Sequence, residues 1–188
     1  MKNKIIISSI LTIALCLSMI AGSTFALFTS KSQTNIAVTS GNLEVVANIN
    51  NDLTLTSRGV AQTGTFANGG TAQIVTVDGI PTLKLSRLTP GDSVSFYITV
   101  ENKSNVAMKY QFAWDVDGEL YPYLTATVDG NAIADDETDW ALWNTEDGMT
   151  QTFLVVVTLP ETVGNEAQGL NASINFTVNA IQGNADVQ

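Results

Sequence analysis

The 188-residue sequence contains no histidine and a single cysteine, Cys16. Without histidine there is no HExxH zinc helix, no Ser-His-Asp triad and no Cys-His pair. Cys16 lies inside an N-terminal apolar run, so the rest of the chain holds neither a thiol nucleophile nor a cysteine-based zinc site. Disulfides are equally excluded there, and stability must come from the core. Basic residues are scarce, 8 against 18 acidic ones, and two of them, Lys2 and Lys4, precede the apolar run. The remainder carries six basic and 18 acidic residues, a net charge of −12. That balance favours solubility and argues against nucleic acid or an anionic membrane as partner. No second apolar stretch approaches the length of the first, which leaves nothing else to embed in a membrane.

What is present begins with an export signal. "MKNK" is a positive n-region, "IIISSILTIALCLSMIAG" an apolar h-region, and "TFA" places the small residues Thr24 and Ala26 where a signal peptidase reads. Cleavage after Ala26 makes Leu27 the new N-terminus. The expected organisation is a signal-peptide helix over residues 1–26 and one secreted domain over 27–188, attached to the membrane only through the leader before cleavage. A retained membrane helix is the alternative, since the run is long enough to span.

Beyond Ala26 the hydrophobic period becomes two. "SVSFYITVE" separates Val94, Phe96, Ile98 and Val100 from Ser93, Ser95, Tyr97 and Thr99. "AMKYQFAWDV" and "LNASINFTVNA" alternate in the same way, and "QTFLVVVTL" is apolar on both faces in its middle, as a central strand would be. Asp-Gly pairs recur, and "TVDGNAI" predicts a two-residue hairpin. In "LTPGDSV", Pro90 and Gly91 predict a turn opening into a strand. Residues 48–79, rich in Gly, Thr, Ala and Gln, read as a long loop or loosely held hairpin, and "DDETDWALW" as room for one short helical turn. The fold class expected is all-β: a two-sheet antiparallel sandwich of jelly-roll or immunoglobulin-like type.

The acids cluster in turns such as "DVDGE" and "ADDETD". A carboxylate pair could serve as acid and base, but such runs are ordinarily solvated loops. As calcium sites they lack an EF-hand's distal glutamate. No catalytic, cofactor-binding or metal-ligating residue is therefore assigned, and the chain is expected not to be an enzyme. Trp114 falls on the apolar face of its strand, which makes it a core residue. Tyr121, Tyr123, Trp140 and Trp143 lie in connections and leave open a second reading, a surface module that binds glycan or a host ligand.

Three segments together resemble one family. "GSTFALFTSKSQTNIAVTSGNLEV", "LTPGDSVSFYITVENKSNVAMKY" and "LPETVGNEAQGLNASINFTVNAIQ" are similar to the TasA/camelysin family of secreted proteins. The match covers the leader, the first strand, the central strands and the last strand, and leaves residues 48–79 and the acidic loops divergent. The resemblance implies a jelly roll exported to the cell surface by a dedicated type I signal peptidase. There, TasA-like members form biofilm matrix fibres. Its partners would be further copies of itself, with other matrix proteins or polysaccharide as additional candidates. Camelysin-like members are described as surface metallopeptidases, and this chain departs from them in offering no zinc motif.

The leader junction then acquires a second role. Cleavage would free "LFTSKSQTNIAVTS", residues 27–40, to act as a strand, with Phe28, Ile36 and Val38 on one parity as the assembly residues. It contains neither Pro nor Gly, and fourteen extended residues reach roughly 45 Å, enough to enter a neighbouring subunit. The competing expectation is that the segment pairs within its own domain and the protein stays monomeric.

Overall fold

The computed structural model describes residues 29–33, 43–104, 106–134, 136–143 and 149–183, with the backbone alone for 29–33. Among these residues thirteen strands follow one another: β1 (Thr29–Gln33), β2 (Val45–Ile49), β3 (Thr54–Ser57), β4 (Val60–Gln62), β5 (Thr71–Val77), β6 (Ile80–Ser86), β7 (Asp92–Asn102), β8 (Met108–Asp117), β9 (Thr125–Val128), β10 (Asn131–Ala132), β11 (Ala141–Trp143), β12 (Thr150–Thr158) and β13 (Asn171–Gln182). The four longest, β7, β8, β12 and β13, coincide with the three segments of period two and with "QTFLVVVTL", apolar on both faces in its middle. Their alternation has a direct cause, since each buries one face between two sheets.

All pairings are antiparallel and form a six-stranded and a seven-stranded sheet. Successive strands mostly alternate between them. The first sheet contains the order β6-β13-β8-β11 and the second β7-β12-β9-β10. In chain order, this interleaving of eight strands is the double Greek key of a jelly roll. Of the two sandwich types expected from the sequence, the jelly roll is the one adopted. The inner faces meet in one core, with Phe96 of β7 and Phe176 of β13 edge to face at 5.4 Å across the interior. The signal-peptide helix expected over residues 1–26 lies outside the described residues.

Turn chemistry sets the hairpins. Arg58-Gly59, Asp78-Gly79 and Asp129-Gly130 each place two consecutive residues at positive φ, joining β3 to β4, β5 to β6 and β9 to β10. The last is the hairpin expected in "TVDGNAI". Residues 48–79 are more ordered than their composition suggests, because β3, β4 and β5 all lie in sheets. The "PGD" turn is fixed by Asp92, only 1% exposed, whose carboxylate accepts from Ser57 Oγ at 2.6 Å, Thr89 N at 2.8 Å and Thr89 Oγ1 at 3.0 Å. The helical turn expected near "DDETDWALW" is replaced, among its described residues, by an extended segment and β11. Among the described residues, 3-10 turns fall at Tyr121–Tyr123 and Asn165–Ala167.

Each sheet has one long strand whose outer edge is shared by two short ones. β7 pairs with β3 at Asp92–Ser95 and with β2 at Ile98–Asn102. β13 pairs with β6 at Asn171–Asn175 and with β1 at Thr177–Ile181, while β8 runs along its other edge. β1 is thus a separate segment filling five of the seven positions of β13 that β6 does not reach.

Candidate functional site

The processing residues Thr24, Ala26 and Leu27 and the assembly residues Phe28, Ile36 and Val38 lie outside the described residues. The part of the assembly segment that is described, β1, pairs with its own domain, with Ser30 opposite Ala180 and Ser32 opposite Val178. The register limits how far this ladder can run. Continued past Gln33, it would set Ile36 opposite Ile174, a position already paired with Leu83 of β6. The slot on β13, residues 176–182, is therefore at most seven residues long, and a continuous fourteen-residue ladder would need another acceptor.

The acidic runs do not converge. Asp115, Asp117 and Glu119 are exposed, and among the described residues no group of three His, Cys, Asp or Glu side chains is placed to hold a metal ion. Asp136 has a structural engagement. Its Oδ1 accepts from Trp114 Nε1 at 2.8 Å and from the Tyr121 hydroxyl at 2.7 Å, tying the acidic loop to β8. Trp114 is core, as its strand parity indicated, at 7% exposure.

The four aromatics offered as a sugar platform do not form one. Trp143 is fully buried, with its ring edge-on to Tyr110 at 5.8 Å and to Phe153 at 6.5 Å. Tyr123 packs half-buried against the core, and Tyr121 is committed to Asp136. Only Trp140 reaches an open concavity. Trp140 directly precedes β11 and Trp143 ends it, and residues three apart in an extended chain face opposite ways.

That concavity is a cleft of about 510 Å³ between the β11 edge of one sheet and the β9–β10 hairpin of the other. It exists because β9 pairs with β12 only over Val155–Thr158, so the sheets part beside the earlier residues of β12. Tyr110, Phe112 and Phe153 form its floor, with rings in mutual contact at 4.8–5.9 Å. Trp140 and Asp139 stand on one wall, Asp129 and Asn131 on the other. One carboxylate oxygen of Asp129 is occupied by the Leu154 amide at 2.7 Å. A second cleft of about 300 Å³, extending toward Gln111 and Glu137, shares Ala132, Ala134, Thr138 and Asp139 with the first. Sequence reasoning assigned Tyr110, Phe112 and Phe153 to strands but gave no sign that they floor a cleft.

Among the described residues no helix is long and apolar enough to cross a membrane. No protein-family model matches the chain, and no curated protein matches it in sequence. Solved structures similar to it include a low-affinity xylan-binding module, CBM86, from Roseburia intestinalis. The two are 11% identical, the match covers 73% of this chain and 96% of the module, and the TM-score is 0.32. The xylan-binding module CBM15 is 10% identical over 76% of this chain and 98% of its own, with a TM-score of 0.26. The enzymatically active domain of tailspike protein 4 from bacteriophage CBA120 is 20% identical over 70% of this chain and 18% of its own, with a TM-score of 0.23. At these scores the likenesses carry no argument about what this chain binds.

Proposed function

We propose that the chain is a secreted structural subunit that assembles into extracellular fibres by exchanging β1 between copies. The observation that carries this reading is the way β1 is held. It is a five-residue segment, TSKSQ, at the edge of β13, without one apolar residue. Its hold on β13 within that span is therefore main-chain pairing, and a second copy's β1 can make the same bonds in the same register. The jelly roll proper, β6 to β13, is complete without it. A strand given to the next subunit, while the slot on β13 receives one from the previous subunit, is a heterologous contact that does not close, and such contacts propagate as filaments. The leader and the resemblance to TasA-like proteins agree with export and with a matrix role.

The test is to incubate the purified secreted protein with and without residues 27–40 and examine both by negative-stain electron microscopy. Filaments from the intact protein alone are the expected outcome. Filaments from the truncated protein would rule out strand exchange.

A further inference from the structure

The cleft between the β11 edge and the β9–β10 hairpin is independent of β1 and of the assembly reading, and we infer that it is a binding site for a neutral oligosaccharide chain. Four features of the cleft lead to that ligand class. Its volume, about 510 Å³, lies within the range of small-ligand sites. Its interior is aromatic and its rim polar, which suits a molecule with apolar CH faces and hydroxyl edges. Trp140, half-buried, lines the cleft and makes no ring contact and no side-chain hydrogen bond to another described residue. The Asp139 carboxylate and the Asn131 amide are likewise uncommitted and stand on opposite walls. Carboxylates accept from hydroxyls, and an amide both donates and accepts. Neighbouring sugar hydroxyls offer that combination.

Charge narrows the class. No lysine or arginine lines either cleft, whereas Asp129, Asp139 and Glu137 do. An anionic polymer or a phosphate would meet only like charge. Shape narrows it again. At about 510 Å³ the first cleft holds more than one sugar ring, and the second adjoins it through shared lining residues. A chain of several residues fits that form better than a monosaccharide.

The competing platform is the outer face of the seven-stranded sheet. There Tyr97 is 47% exposed beside a Thr99–Thr152 hydroxyl contact at 3.3 Å. It is open rather than concave and buries less of any ligand, so the cleft is favoured.

The experiment titrates the purified secreted protein by calorimetry with cellohexaose, xylohexaose and laminarihexaose, with polygalacturonate as the anionic control. A synthetic peptide of residues 27–40 serves as a polypeptide control. The expected result is that at least one neutral hexaose binds with Kd below about 1 mM and that polygalacturonate and the peptide do not. Trp140→Ala should weaken that binding about tenfold or more with an unchanged melting temperature. Asn131→Ala, at an exposed hairpin position, provides a second variant should Trp140→Ala fold poorly, and should weaken binding several-fold. The inference is overturned if no neutral hexaose binds, if the peptide or the anionic polymer binds instead, or if Tyr97→Ala abolishes binding that the cleft variants leave intact.

Discussion

Pinning β1 to its own domain should stop assembly, and the magnitude of its attachment explains why pinning is needed. Five antiparallel positions carry roughly four to six main-chain hydrogen bonds, because alternate pairs exchange two. At about 0.5–1.5 kcal/mol each, they contribute on the order of 2–9 kcal/mol. Fixing five backbones costs about 5–10 kcal/mol. The two nearly cancel, so β1 should leave β13 readily in the free subunit. Ser30 and Ala180 are directly opposite in the ladder, and facing positions lie within the Cα separation a disulfide accepts. The double variant Ser30→Cys, Ala180→Cys has no competing thiol after the leader is removed, because Cys16 is the sole cysteine. Oxidised as a dilute monomer, it should remain monomeric by light scattering and microscopy. Reduced, it should grow filaments like the parent. Oxidised after assembly, it should give a ladder of disulfide-linked multimers on a non-reducing gel. Filaments that form equally well from the pre-oxidised monomer, or assembled material that yields only monomers on that gel, would refute the exchange argument.

Three further outcomes follow from the core and the turns. Trp143→Ala removes a fully buried ring from the Tyr110–Phe153 cluster. It should cost about 3–5 kcal/mol, which calorimetry would read as a fall of roughly 6–20 °C in the melting temperature of the non-assembling variant. Asp92→Ala should cost about 3 kcal/mol in urea unfolding, because Ser57 and Thr89 lose their acceptor at a site 1% exposed; Asp92→Asn, which keeps an acceptor oxygen, should cost less. Gly118 has φ +118° and an added Cβ would stand 2.4 Å from the Asn171 carbonyl oxygen. Gly118→Ala should therefore destabilise by more than about 1 kcal/mol, while Gly130→Ala, with nothing within 4 Å, should show the φ penalty alone.

The parts of the fold legible in the sequence are those where one face of a long strand is buried. β7, β8 and β13 announce themselves by period two, β12 by its apolar run, and Asp129-Gly130 by the turn it must make. β3, β4 and β5 escaped because they are short or lie toward the sheet edges, where burial is too shallow to impose alternation. The turn between β3 and β4 is Arg58-Gly59, which is not an obvious turn dipeptide. Trp143, expected in a connection, ends β11 and is buried, because "WALW" is too short to show an alternation. The cleft is invisible to any local reading. It arises from where β9 stops pairing with β12, and it gathers Tyr110, Asn131, Trp140 and Phe153 from four separate segments.

The divided outer edge of β13 bears on how the molecule breathes. Amides of Thr177–Ile181 that face the N-terminal segment should trade deuterium at the pace of its local detachment. Those of Asn171–Asn175 that face β6 should wait for rarer openings of the sheet. One continuous strand would then keep two clocks, the faster of them slowing once a fibre has formed.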